Sequence, residues 1–270
     1  MSRFRQLTFR AANASLIGAL GWLHRRYDSP TIYKVGPNGA AALFENSWFS
    51  YRASEFGCTG NIDYDHNAEN ATRQFLFDRV TDGQVIYDIG AHGGVYTLTL
   101  LSRFPNLIVH SFEPQPEELI ENLKLNSVLT NRVHAVALGD ETRSVSMTTK
   151  ERSSNHISDA GDRTVPLVRL DDFAREQNIP NPDWIKIDIE GMELPALRGA
   201  EQLLRNSRPT IICEIISQIS GRYGAKVSDL VGYLSSLGYA IHALQDGDLR
   251  RIDGDTLPYS ADWNYWFLPE

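Results

Sequence analysis

The sequence predicts an α/β protein built on a mostly parallel sheet, with an N-terminal extension before it and an antiparallel strand pair at its end. Three observations predict this. From residue 85 onward, short β-branched runs alternate with helix-length segments, the pattern of a parallel sheet covered on both faces. The first of these strands runs into a glycine-rich loop, Asp88-Ile89-Gly90-Ala91-His92-Gly93-Gly94. The last two strands are joined only by a polar, Gly/Asp-rich loop and must therefore be antiparallel neighbours.

Taken in order, Arg3, Arg5 and Arg10 precede an apolar stretch over 11–23. It resembles a signal peptide in outline, but Asn13, Ser15 and Gly18 dilute it, and His24, Arg25 and Arg26 stand where a cleavage site needs small neutral residues. It is also shorter than the roughly 20 apolar residues of a membrane span. Leu16, Leu20 and Leu23 fall at helical spacing, so a helix that docks or pairs two copies into a homodimer is expected. Peripheral contact with a membrane surface is the alternative. Residues 28–65 are turn-rich and aromatic, with a hairpin expected over 42–52. The chain thus divides into an extension over 1–65 and one domain over 66–270.

A helix is predicted over 68–80, ended by Asp82-Gly83. Strands follow at 85–89, 107–112 and 133–138, separated by helices over 94–103 and 116–129, with a further strand near Val145. Two apolar strands at 184–189 and 210–215 flank a helix over 194–206. A helix over 227–237 and strands at 239–244 and 263–268 close the chain.

Composition excludes more than it names. The 26 basic residues against 34 acidic ones leave a net charge of −8, so a broad electrostatic grip on nucleic acid is not expected. Two cysteines, Cys58 and Cys213, are too few for a disulfide framework and too far apart for a metal-ligand pair. A cytoplasmic protein is the default expectation.

The glycine loop lies at the carboxyl end of a parallel strand, where open α/β sheets place ligands. Gly90, Ala91 and Gly93 offer backbone to a ligand at close range. A dinucleotide fingerprint carries glycine where this loop carries Asp88, and a carboxylate there repels a pyrophosphate while suiting an ammonium or sulfonium. Glu113, at the tip of the second strand, is placed to accept the two hydroxyls of a ribose. Asp140, just past the third strand, is placed toward an adenine amino group. Together these features point to S-adenosylmethionine.

The segment Lys186-Ile187-Asp188-Ile189-Glu190 alternates charged and apolar residues, so its three charges would share one face of a central strand. Such strands normally bury both faces, and an unpaired buried charge costs several kcal/mol. Either Lys186 and Asp188 form a structural ion pair, or the charges line the mouth of a site.

This block, with Met192-Glu193 and Leu197-Arg198-Gly199, resembles the FkbM family of S-adenosylmethionine-dependent methyltransferases. Residues 85–97, Phe112-Glu113-Pro114, Arg169-Leu170-Asp171-Asp172-Phe173 and Asn264-Tyr265-Trp266-Phe267 carry the same resemblance, which covers roughly 65–270. His92 departs from it, standing where the family more often has Asn. The resemblance implies a class I methyltransferase (Rossmann-like) fold and O-methylation of a sugar, glycan or natural-product hydroxyl. Methyl transfer to a hydroxyl benefits from a general base or a metal. Asp188 is the expected catalytic residue, assisted by Glu190 and Glu214; the same three are candidate ligands for Mg or Ca. His156, in a polar loop, is a weaker candidate base, and Tyr64, Trp263 and Trp266 are candidate sugar-stacking aromatics. The rival classes are an NAD-dependent oxidoreductase, which Asp88 argues against, and a non-catalytic nucleotide-binding module, which the acidic face argues against.

Overall fold

The computed structural model describes residues 32–36, 39–44, 46–52, 69–149, 154–216, 221–224, 226–254, 257, 260 and 263–270. The helix expected over 11–23 lies outside them. The first elements are β1 (Ile32–Gly36), β2 (Gly39–Phe44) and β3 (Ser47–Arg52), an antiparallel sheet in that order. The β2–β3 hairpin turns at Asn46, whose positive φ of 67° suits a short polar side chain.

The second sheet is assembled from α1 (Asn70–Phe77), β4 (Val85–Ile89), α2 (Val95–Arg103), β5 (Ile108–Phe112), α3 (Glu117–Leu125) and β6 (Val133–His134), and continues after an excursion. That excursion is a small sheet of β7 (Ala137–Leu138), β8 (Arg143–Met147) and β9 (Arg163–Val168). Then come α4 (Leu170–Glu176), β10 (Trp184–Ile187), α5 (Glu193–Arg198), α6 (Glu201–Ser207), β11 (Thr210–Glu214), α7 (Val227–Ser236), β12 (Tyr239–Gln245), β13 (Asp248–Arg251) and β14 (Asn264–Pro269). The eight-stranded order is β13-β12-β14-β11-β10-β4-β5-β6. The run β11-β10-β4-β5-β6 is parallel, and β14 inserts antiparallel between β11 and β12. This is the class I methyltransferase arrangement that the resemblance implies.

Both faces of the sheet are covered because its strands are apolar on both sides. Ile185, Ile187, Ile211 and Phe267 pack on one face with Leu197, Leu204 and Leu234. Ile86, Ile212 and Trp266 pack on the other with Phe75, Leu76 and Leu100. Each buried aliphatic contributes roughly 1.5–3 kcal/mol relative to exposure. The hairpin joins the same body: Phe49 is buried among Ala91, Leu98, Leu119 and Leu123, and the Ser47 hydroxyl donates to the Leu98 carbonyl at 3.2 Å.

Three expectations need correction. The single strand expected over 133–138 is two short ones in different sheets, because the Val136 N–H turns back to the His134 carbonyl and frees Ala137 and Leu138 to pair with β9. The helix expected over 194–206 breaks at Gly199. A Cβ on Gly199 would stand 2.0 Å from the Gly139 carbonyl oxygen, and Asp171 starts the new helix by accepting the N–H groups of Gln202 and Leu203. Finally, the closing loop holds β13, turned from β12 by Asp246 and Gly247, both at positive φ as a tight hairpin requires. Among the described residues, no helix is long and apolar enough to cross a membrane.

Below the sheet edge, His110 of β5 and His134 of β6 stack, with Nδ1 and Nε2 3.0 Å apart. Burial pushes both down to about 4, and for His110 the neighbouring His134 and Arg132 add to it. The unfolded chain, with histidines near 6.5, takes up these protons first as pH falls. This pair's contribution is therefore present above 6.5 and lost between 6.5 and 4. Chemical unfolding of wild type and His134→Phe at pH 7.0 and 4.5 should show the smaller pH loss in the variant.

Candidate functional site

The chain reverses its direction of winding beside β4: β5 and β6 lie on one side, β10 and β11 on the other. A crevice outside the carboxyl ends of the strands is expected at such a point. Four tips meet there, carrying the 90–94 loop after β4, Glu113 after β5, Asp188 after β10 and Glu214 at the end of β11.

The loop is held from below. Asp88 is 3% exposed, and its Oδ2 accepts the Thr97 hydroxyl at 2.5 Å and the Thr97 N–H at 3.1 Å. Burial pushes this carboxyl up to about 6 despite those bonds. The side chain expected to face a cationic ligand instead points into the first turn of α2. Gly90 (φ 83°) is required by packing: a Cβ there would stand 1.8 Å from the Asp188 carbonyl oxygen. Gly93 packs beside Glu118, Ala91 is buried, and Gly94 (φ 88°) starts α2. Glu113 clamps the loop from the side. One oxygen accepts the His92 N–H and the other the Gln115 N–H, each at 2.9 Å, leaving one lone pair per oxygen for a ligand. Burial raises the Glu113 carboxyl. Asp140 is exposed, and its carbonyl accepts Arg169.

Lys186 is the centre of the opposite wall. Its side chain is buried, 3.3 Å from Glu69 Oε1, 3.6 Å from Asp188 Oδ2 and 5.2 Å from the centre of the Tyr96 ring. Burial alone would lower the ammonium, yet the carboxylates of Glu69, Asp188, Glu214 and Asp88 outweigh it and raise its pKa. Burial, and then the neighbouring Asp188 carboxylate, push the Glu214 carboxyl well up from its ordinary value. One oxygen each from Glu69, Asp188 and Glu214 lies within 4.8 Å of the others.

Glu190 departs from the expected common face. The β10 strand ends at Ile187, so alternation ends with it. Glu190 turns through φ 59°, and its carboxylate lies 3.5 Å from Arg222. Glu69 takes the place among the acids that Glu190 was expected to hold. The 189–191 turn is fixed by Glu193, whose buried Oε1 accepts the N–H groups of Ile189 and Gly191. Glu193 stands in the motif itself, but nothing in its spacing announces a loop clamp. His156 donates its backbone N–H to the Thr148 hydroxyl. Trp266 is fully buried in the core, Trp263 is half exposed, and Tyr64 lies outside the described residues.

Residues 88–241 match the profile described as Methyltransferase FkbM domain. Methyltransferase 1 of Beauveria bassiana is 26% identical over 148 residues, covering 44% of this chain and 59% of that protein. Hexuronic acid methyltransferase AglP of Haloferax volcanii is 23% identical over 153 residues, covering 55% and 63%. The 31-O-demethyl-FK506 methyltransferase FkbM of Streptomyces tacrolimicus is 26% identical over 202 residues, covering 61% and 75%. The match thus spans less than two thirds of the length of the first two relatives.

The close approach of Asp188 to Gly90 makes that glycine a point of failure for the whole site. Gly90→Ala should lower stability by at least about 2 kcal/mol in urea unfolding, because both the φ and the space are wrong.

Proposed function

The chain belongs to the FkbM methyltransferase domain family, and from that premise we propose that it transfers the methyl group of S-adenosylmethionine to a hydroxyl of a sugar, glycan or natural product. The observation that carries the reading is the set of carboxylates around buried Lys186, at strand tips beside the glycine loop. The residues fit the cofactor. An acidic mouth suits a ligand with sulfonium and ammonium charges, and Glu113 retains lone pairs for ribose hydroxyls. Gly90, Ala91 and Gly93 shape the loop backbone, Asp88 holds that loop through Thr97 without reaching the ligand, and Asp140 flanks the adenine side. The relatives' names support the acceptor class, since one is named for a hexuronic acid and another for the natural product 31-O-demethyl-FK506.

Bound S-adenosylmethionine supplies a methyl group already activated for in-line displacement. The protein's task is to place the acceptor oxygen, exclude water and take the hydroxyl proton. Asp188 is half-buried, with one oxygen toward Lys186, and is the group best placed to accept the hydroxyl hydrogen bond. Glu214 stands beside Asp188, one oxygen of each within 4.8 Å, and completes the acidic wall. Glu190, anchored by Arg222, lines the acceptor side.

A divalent ion such as Mg or Ca fits these residues poorly. An ion among Glu69, Asp188 and Glu214 would stand against the Lys186 ammonium, which already neutralises two of them.

Incubation with methyl-labelled S-adenosylmethionine and a panel of neutral glycosides, uronates and polyhydroxylated natural products tests the reading. A labelled methyl ether is expected; label recovered only on nitrogen or carbon would overturn it. Asp188→Asn should cut turnover by about a hundredfold or more while cofactor affinity, by calorimetry, stays within a few-fold. Pre-treatment with EDTA should leave the rate unchanged.

A further inference from the structure

Glu69 lies ahead of the family-matched residues 88–241, and Asn264 lies beyond them, yet both reach the site. Glu69 opens α1 in a left-handed conformation (φ 56°), and its carbonyl accepts the Arg73 N–H. That backbone turn aims the side chain inward. Its Oε1 accepts Asn264 Nδ2 at 2.8 Å and faces Lys186 Nζ at 3.3 Å. Asn264 is paired across the sheet with Glu214, so one carboxylate oxygen ties α1 to β10 and to the β11–β14 ladder.

We propose that Glu69 is a positioning residue of the methyl-transfer site: it shares the Lys186 ammonium with Asp188, and so holds Asp188 at the strand tip with an oxygen free for the acceptor hydroxyl. The proposal rests on the methyltransferase reading above. The physical reason is competition for one cation. With Glu69 present, Lys186 is divided between two carboxylates at 3.3 and 3.6 Å. Without the Glu69 charge, the buried ammonium has Asp188 as its nearest counter-ion and draws it inward, because an ammonium out of water requires a close partner. The Asp188 carboxylate then turns from the acceptor toward Lys186. Glu69 touches neither reacting atom in this scheme; it acts through Lys186.

Glu69→Gln keeps an oxygen for Asn264 and removes only the charge, while Glu69→Asp keeps the charge on a shorter arm. Three quantities are read on each variant. They are kcat on the acceptor found in the panel, S-adenosylmethionine affinity by calorimetry, and the side-chain ammonium signal of Lys186 in protein carrying nitrogen-15 lysine. That signal needs no acceptor, and the other lysines are Lys34, Lys124, Lys150 and Lys226. The expected result is a kcat about tenfold or more lower in Glu69→Gln, cofactor affinity within about threefold, a displaced Lys186 signal, and partial recovery of kcat in Glu69→Asp. Wild-type kcat in Glu69→Gln, or an unmoved Lys186 signal, would overturn the proposal. So would equal losses of kcat and cofactor affinity, which mark a site that has merely lost its shape. A wild type that methylates nothing in the panel, while its Lys186 signal still answers to Glu69→Gln, removes the methyl-transfer reading. Glu69 is then a structural ion pair only, and the proposal falls with that reading.

Discussion

A single buried ammonium organises this molecule's site. Lys186 sits on a central strand with both neighbours parallel, a position that normally holds an aliphatic side chain. Its charge is tolerable there only because Glu69 and Asp188 stand within ion-pair distance and Asp88 and Glu214 add to the field. Those acids come from the tip of β4, the tip of β10, the end of β11 and the start of α1. The requirement to neutralise Lys186 therefore draws four elements to one end of the sheet. The same requirement leaves that end rich in carboxylates, which is the character a site for a cationic cofactor needs.

The two sides of the crevice are built by different means. On the β4–β5 side, carboxylates act on backbone: Asp88 holds Thr97, Glu113 holds His92 and Gln115, and Glu193 does the same for the β10 turn with Ile189 and Gly191. On the β10–β11 side, carboxylates act on one another and on Lys186. Buried acids on the first side act as loop clamps, though Glu113 keeps one lone pair on each oxygen, while half-buried Asp188 on the second keeps one oxygen clear of Lys186.

The sheet was legible in the sequence because β-branched runs and helical segments alternate with little ambiguity from residue 85 to the end. Its antiparallel closure followed from the polar, Gly/Asp-rich link between β12 and β14. What escaped was set by contacts between distant residues. Gly199 reads as an ordinary helix glycine until the Gly139 carbonyl is seen against it, and the cap from Asp171 arrives from 31 positions upstream. In the site, side chains lie where alternation puts them as far as the strand runs and depart from it where the strand ends. Lys186 and Asp188 share a face as alternation requires, whereas Glu190 lies past the last strand residue and turns toward Arg222. The direction of Asp88 was unreadable, because spacing alone does not say whether an acid faces a ligand or the helix behind its loop. Glu69 had no local signal; an acid opening a helix reads as a favourable dipole contact.

The proposed function requires the carboxylates gathered around Lys186 to form the wall against which S-adenosylmethionine presents its methyl group. A crystal structure with S-adenosylhomocysteine tests it most directly. The expected complex has the ribose hydroxyls on Glu113 and the sulfur facing Asp188. A ligand whose ribose lies on another acid, or whose sulfur faces away from Asp188, would contradict it.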